Sequence, residues 1–177
     1  MSIAPATADT RQASVTSTDD LDDQTLRRVF GAFPSGVVVL GAQTEDGPQA
    51  LVASSFTVGV SLHPPLVSVA VQRSSQTWPR IRTAPAIGVS YAGEVHAGVL
   101  RQLAGRDRAH RFDGVGTIVT PHDALLLAGS PVHLETVLHA EIAAGDHTVA
   151  LLEVRHVHEE PEHRPLLWHA SGVRTLD

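Results

Sequence analysis

Apolar residues at Leu26, Val29, Phe30 and Phe33 recur at helical spacing. They predict a helix from Asp22 to Phe33, closed by Gly31 and Pro34-Ser35-Gly36. The pattern then changes. Val37 to Ala42 is a short apolar run rich in β-branched residues and reads as a buried strand. After the turn residues Glu45-Asp46-Gly47-Pro48, two more strands are predicted at Gln49 to Ser54 and Phe56 to Ser61. His63-Pro64-Pro65 interrupts the ladder, because proline has no N–H to donate. Leu66 to Gln72 alternates around Val67, Val69 and Val71, which marks another strand. Ser75 to Ala84 reads as a helix capped by Ser75 or Thr77, with Pro79 in its first turn. A strand at Ala86 to Ser90 and a helix at Val95 to Leu103 follow, then a polar loop from Gly105 to Gly116. Val132 to Ala143 and His147 to His158 are long strands joined at Ala144-Gly145-Asp146, a hairpin signal. Leu166 to His169 is a last strand.

Strands dominate, and turns rather than crossover helices separate most of them. This predicts a mostly β chain with antiparallel pairing, arranged as a barrel with a few short helices. A doubly wound sheet would carry G-x-G-x-x-G after its first strand. No such run exists, and Gly114-Val115-Gly116 lacks the third glycine.

At 177 residues and 18.8 kDa the chain is the size of one domain. Residues 1–23 are rich in Ser, Thr, Ala and Asp without apolar period, and are expected to form a disordered acidic tail before the domain at residues 24–177. This stretch lacks the basic start and apolar core of a signal peptide, and no apolar run is long enough for a membrane span. The absence of cysteine excludes disulfides, thiolate metal sites and a cysteine nucleophile, and fits a cytoplasmic location. All 13 basic residues are arginine, which excludes a Schiff-base lysine and a P-loop lysine. A net charge of −6 argues against a nucleic-acid partner.

Three polar clusters interrupt the strand pattern. Ala53-Ser54-Ser55-Phe56 places two hydroxyls between strand-like runs, suited to hydrogen bonding along a flat heteroaromatic ring; a strand bulge with solvated serines is the plainer reading. Gln72-Arg73-Ser74-Ser75-Gln76-Thr77 lies where a strand ends and a helix begins. Unpaired N–H groups, hydroxyls and a guanidinium there suit a phosphate; helix capping alone is the alternative. Gly145-Asp146-His147-Thr148 puts a histidine at a tight turn, able to bond a ligand or simply to stand half exposed. Eleven histidines invite a metal reading, and His156 and His158 share a strand face. Three or four converging ligands are not discernible from the spacing, so no metal site is expected. No G-x-S-x-G elbow supports a serine hydrolase.

Taken in order, these segments resemble the short-chain flavin reductase family, the reductase partners of two-component flavin monooxygenases. The resemblance rests on Phe33-Pro34-Ser35-Gly36-Val37, Ser54-Ser55-Phe56-Thr57, Ser61-Leu62-His63-Pro64-Pro65-Leu66-Val67, Arg73-Ser74-Ser75-Gln76-Thr77-Trp78, Leu103-Ala104-Gly105-Arg106, Arg111-Phe112 and Gly145-Asp146-His147-Thr148. It implies a split-barrel homodimer that reduces FMN or FAD with NADH or NADPH and passes reduced flavin to a monooxygenase. By position, Val52, Ala53, Ser54 and Ser55 would line the ring and ribityl chain, and Arg73, Ser74, Ser75 and Thr77 would hold the phosphate. Pro34, Ser35 and Gly36 would lie near the flavin, flanked by Arg111 and Phe112. Gly145 and His147 would meet the nicotinamide, with His147 the expected catalytic residue and Trp168 packing beside nicotinamide or flavin. His63 stands where relatives carry aspartate, and Val173 where many carry tyrosine. A flavoenzyme with tightly held flavin acting in a biosynthetic pathway, a non-catalytic flavin or haem carrier and an accessory subunit remain open alternatives.

Overall fold

The computed structural model describes residues 21–176; the expected acidic tail lies outside the described residues up to residue 20. Helix α1 spans Asp23–Gly31, capped by Asp22, whose Oδ1 accepts from the Thr25 N–H at 2.6 Å. Hydrogen bonding from Thr25 holds the Asp22 carboxyl below the usual carboxylate range. Twelve strands follow: β1 (Ser35–Gly36), β2 (Val38–Thr44), β3 (Gly47–Ala53), β4 (Thr57–Leu62), β5 (Pro65–Gln72), β6 (Ile87–Tyr91), β7 (Thr117–Val119), β8 (Leu125–Leu127), β9 (Val132–Ala144), β10 (His147–Glu159), β11 (Leu166–His169) and β12 (Gly172–Thr175). Helix α2 is Trp78–Ile81 and α3 is Leu100–Leu103.

The mostly β, antiparallel expectation holds. Seven strands form one sheet in the order β3-β2-β6-β9-β10-β5-β4, with β1-β11-β12 and β7-β8 as smaller sheets. The β9–β10 hairpin turns at Gly145 with φ +61°, a conformation glycine adopts without steric cost. Strand β2 is apolar from Val38 to Ala42 because both its faces are covered there. Val38, Leu40 and Ala42 join one core with Val67, Val69, Val71, Ile87, Val89 and Leu152. Val39, and Val37 just ahead of it, face a second core with Ala50, Leu100, Leu103, Leu127 and Leu166. Gly41 and Gly88 are cross-strand partners, and a Cβ on either would overlap the Leu125 carbonyl oxygen. Their bareness is what lets β8 lie against the sheet.

Two helices and several strands differ from expectation. The second helix is one turn rather than Ser75 to Ala84, because Thr83-Ala84-Pro85 turns the chain back to β6. Its N-cap position is Thr77, without a side-chain cap bond; Ser75 Oγ, just ahead of it, accepts from the Trp78 N–H at 3.2 Å and the Thr77 N–H at 3.4 Å. The helix expected at Val95 to Leu103 splits into a 3-10 turn at Glu94–His96 and α3, parted at Ala97-Gly98. Strands β1, β7, β8 and β12 have no counterpart in the sequence pattern. The β11–β12 turn uses Ala170 and Ser171 at φ 50° and 59°, in place of the Asn-Gly pair such a turn favours.

His96 is buried as a neutral imidazole. Its Nδ1 accepts from the Gly93 N–H at 2.9 Å and its Nε2 donates to the Ala128 carbonyl at 3.0 Å. Burial pushes its pKa below the ordinary 6.5. As pH falls through 6.5 the unfolded chain takes up a proton that the folded chain refuses, so stability is lost from that pH down to the depressed folded value. Denaturant midpoints between pH 7.5 and 5 should fall, and His96→Gln should show a smaller fall over that interval.

Candidate functional site

Strand β3 ends at Ala53 and β4 begins at Thr57, leaving Ser54, Ser55 and Phe56 as an irregular link. Ser55 Oγ donates to the Ala70 carbonyl of β5 at 2.8 Å, which pins the link against that strand. Beyond the end of β5, the Arg73 N–H donates to the Asp146 carbonyl at 2.9 Å, tying the second polar segment to the β9–β10 turn. His147 lies opposite Gln72 in the ladder, and Asp146 Oδ1 is 2.7 Å from its Nδ1. That contact holds the Asp146 carboxyl below its ordinary range.

The three polar clusters therefore meet. A cavity of about 940 Å3 has Ser54 and Ser55 on one side, Ser74, Ser75 and Thr77 on another, and His147 at its edge. Its volume is that of a site for a drug-sized ligand. Leu51, Val52, Ala53, Ala70 and Val71 give it an apolar wall. Arg106, Arg108 and Arg111 contribute positive charge from the loop after α3. Two neighbouring cavities open from the same place. One, of about 910 Å3, runs beneath α1 and includes Ser35, Gln72, His147 and Trp168. The other, of about 540 Å3, lies between Val37, Leu100, Trp168 and Val173. Ser54 lines all three.

The arginine loop is built from a distance. Gln102 Nε2 reaches the carbonyls of His110, Arg111 and Asp113 at 2.9 to 3.1 Å. Arg111 is buried, donating to the Ala50 carbonyl at 3.0 Å and the Gly105 carbonyl at 2.6 Å, while its Nε has no partner among the described residues. Burial lowers its pKa from the ordinary arginine value.

Of the residues singled out from sequence, Ser35, Val52, Ala53, Ser54, Ser55, Ser74, Ser75, Thr77, Arg111, His147 and Trp168 line these cavities. Pro34, Gly36, Arg73, Phe112 and Gly145 do not: Arg73 is exposed outside the lining, and Phe112 packs on the second core. Sequence reasoning missed Gln72, Arg106 and Arg108 as lining residues.

The flavin reductase-like domain model matches residues 30–177. The chain belongs to that family. This flavin reductase-like chain is 31% identical over 152 residues to a flavin reductase of Pseudomonas putida, covering 86% of this chain and 89% of that one. It is 28% identical to the reductase subunit HsaB of a flavin-dependent monooxygenase from Rhodococcus jostii, covering 89% and 80%. Among solved structures it superposes with a TM-score of 0.84 and 32% identity on a Streptomyces globisporus NADH:FAD oxidoreductase in complex with NAD and FAD fragments, covering 93% and 98%.

The cavity fits a flavin on its own terms. An apolar wall suits a flat ring, and hydroxyl donors and an arginine loop suit a phosphate. The helix that follows the hydroxyl segment is a single turn and offers little dipole, so the donors on this side of the cavity are the hydroxyls and the arginine loop.

Proposed function

We propose that this chain is an NAD(P)H-dependent flavin reductase that reduces FMN or FAD and releases it to a partner monooxygenase. The observation that carries this reading is the single cavity lined by both the Ser54–Ser55 link and the Ser74–Thr77 segment. Ser74, Ser75 and Thr77, with Arg106 and Arg108, would hold the flavin phosphate, and Val52 to Ser55 would border the ring. The nicotinamide would enter beneath α1, where Ser35, His147 and Trp168 lie. When bound, the nicotinamide supplies the hydride and the flavin ring accepts it. The protein's part is to hold both rings in register and keep water out of the gap between them. His147 positions the nicotinamide, its ring oriented by the Asp146 carboxylate. The relatives' names favour NADH.

Loss of one such contact weakens binding and spares chemistry. His147→Ala should raise the nicotinamide KM about 5–10-fold with kcat nearly unchanged. A collapse of kcat at constant KM would contradict that role.

The test of the function itself is NADH and NADPH oxidation with added FMN, FAD or riboflavin. Many turnovers of free flavin support the reductase. Retained flavin with slow turnover would identify a dedicated flavoenzyme instead, and no flavin affinity would leave only a structural role.

A homodimer and a cytoplasmic location complete the proposal. Helix α1 buries none of its residues, Phe30 and Phe33 are 69% and 75% exposed, and edge strand β4 exposes Val58, Val60 and Leu62. So much apolar surface suits contact with a second copy. Sedimentation equilibrium should return twice the chain mass; a monomer at micromolar concentration would refute the dimer. Among the described residues no helix is long and apolar enough to cross a membrane.

A further inference from the structure

We propose that His122, Glu135 and His156 form a binding site for a divalent first-row transition ion, with Zn2+ its representative. The three residues come from separate segments: the β7–β8 turn, β9 and β10. The register shift between Val154 and His156 in β10 sets His156 opposite Glu135. His122 Nδ1 lies 2.7 Å and His156 Nδ1 3.1 Å from the same oxygen, Glu135 Oε1. The two imidazoles stack with centroids 5.6 Å apart and planes inclined by 5°, so both present one nitrogen to one point. All three donor atoms lie within 4.8 Å of one another.

A zinc ion takes imidazole nitrogen and carboxylate oxygen at about 2.0–2.2 Å. Donor atoms already gathered this closely need only small side-chain shifts to reach such bonds. A single histidine would satisfy the carboxylate by hydrogen bonding; the second, parallel ring is surplus to that need. One dication would replace the two bridging protons and bind both nitrogens at once. Glu135 is 9% exposed while both histidines are exposed, which leaves the outer side of the cluster open to a water ligand. A two-nitrogen, one-oxygen set selects zinc, copper, nickel or ferrous iron over magnesium or calcium. None of the three residues lines the cavities described above, so the ion would join the β7–β8 turn to the sheet rather than serve hydride transfer.

The sequence reading set His156 beside His158 and found no third ligand. His158 instead stacks on buried His133 and faces Glu160, where His163 forms a second histidine–carboxylate cluster. That cluster provides the control.

The full chain, free of tag and treated with chelator, is titrated with ZnCl2 by calorimetry and with CoCl2 by visible absorption. One equivalent of zinc should bind with Kd of about 10 µM or tighter. At a hundredfold excess over Kd the melting temperature should rise by about 5–10 °C. His122→Ala and His156→Ala should each weaken binding at least about 10-fold, while melting like the parent when metal-free. His163→Ala should bind as the parent does. The site is refuted if no zinc binds at about 100 µM, if the His122 and His156 variants bind normally, or if His163→Ala alone abolishes binding.

Discussion

Ser54→Phe is expected to weaken flavin binding at least about 100-fold and leave the fold intact. Ser54 is exposed, so a larger side chain there displaces no core residue. It also lies at the junction of all three cavities, where an aromatic ring would stand in the space assigned to the isoalloxazine. Ser54→Ala separates sterics from bonding. It removes one hydroxyl and should cost about 3–10-fold, the worth of one hydrogen bond. Fluorescence titration of FMN and FAD measures both, with circular dichroism to confirm the fold. Normal affinity in Ser54→Phe would move the ring elsewhere.

Gly88→Ala is expected to give the largest loss of stability. The added methyl would overlap the Leu125 carbonyl oxygen and crowd Leu126, and neither backbone can withdraw without separating β8 from the sheet. Ala124 to Leu127 are all buried, and Leu127 N–H donates to Ser90 Oγ at 2.9 Å, so the displaced segment carries core with it. Such overpacking costs about 3 kcal/mol or more. For a chain of this size that lowers Tm by about 6–12 °C. Gly98→Ala is the control: a Cβ there meets nothing within 4 Å, so calorimetry should find it within about 0.5 kcal/mol of the parent.

Local pattern revealed what local physics decides. Alternation exposed β5, the Gly145 turn announced the β9–β10 hairpin, and the apolar run at Val37 foretold a strand buried on both faces. What stayed hidden depends on distant partners. Leu125–Leu127 shows no alternation, because β8 is buried whole against Gly41 and Gly88. The turn to β12 carries Ala170-Ser171 at positive φ, where Asn-Gly would be the recognisable signal. Arg106 stood within a motif that was recognised, yet nothing local says that Gln102 and Arg111 fold its loop over the cavity. Arg73 is the converse case: it is adjacent to the hydroxyl cluster in sequence, yet it is exposed and is not among the residues that line the cavity. The helical period holds for structure at Leu26, Val29 and Phe30, though the helix stops at Gly31 short of Phe33, and it does not hold for burial, since that face is uncovered within one chain.

A crystal structure grown with FMN or FAD tests the central claim most directly. The account predicts the phosphate against Ser74, Ser75 and Thr77, the ring edge against Ser54 and Ser55, and His147 beside the open face. Flavin density elsewhere on the protein, with that cavity holding only solvent, would contradict it.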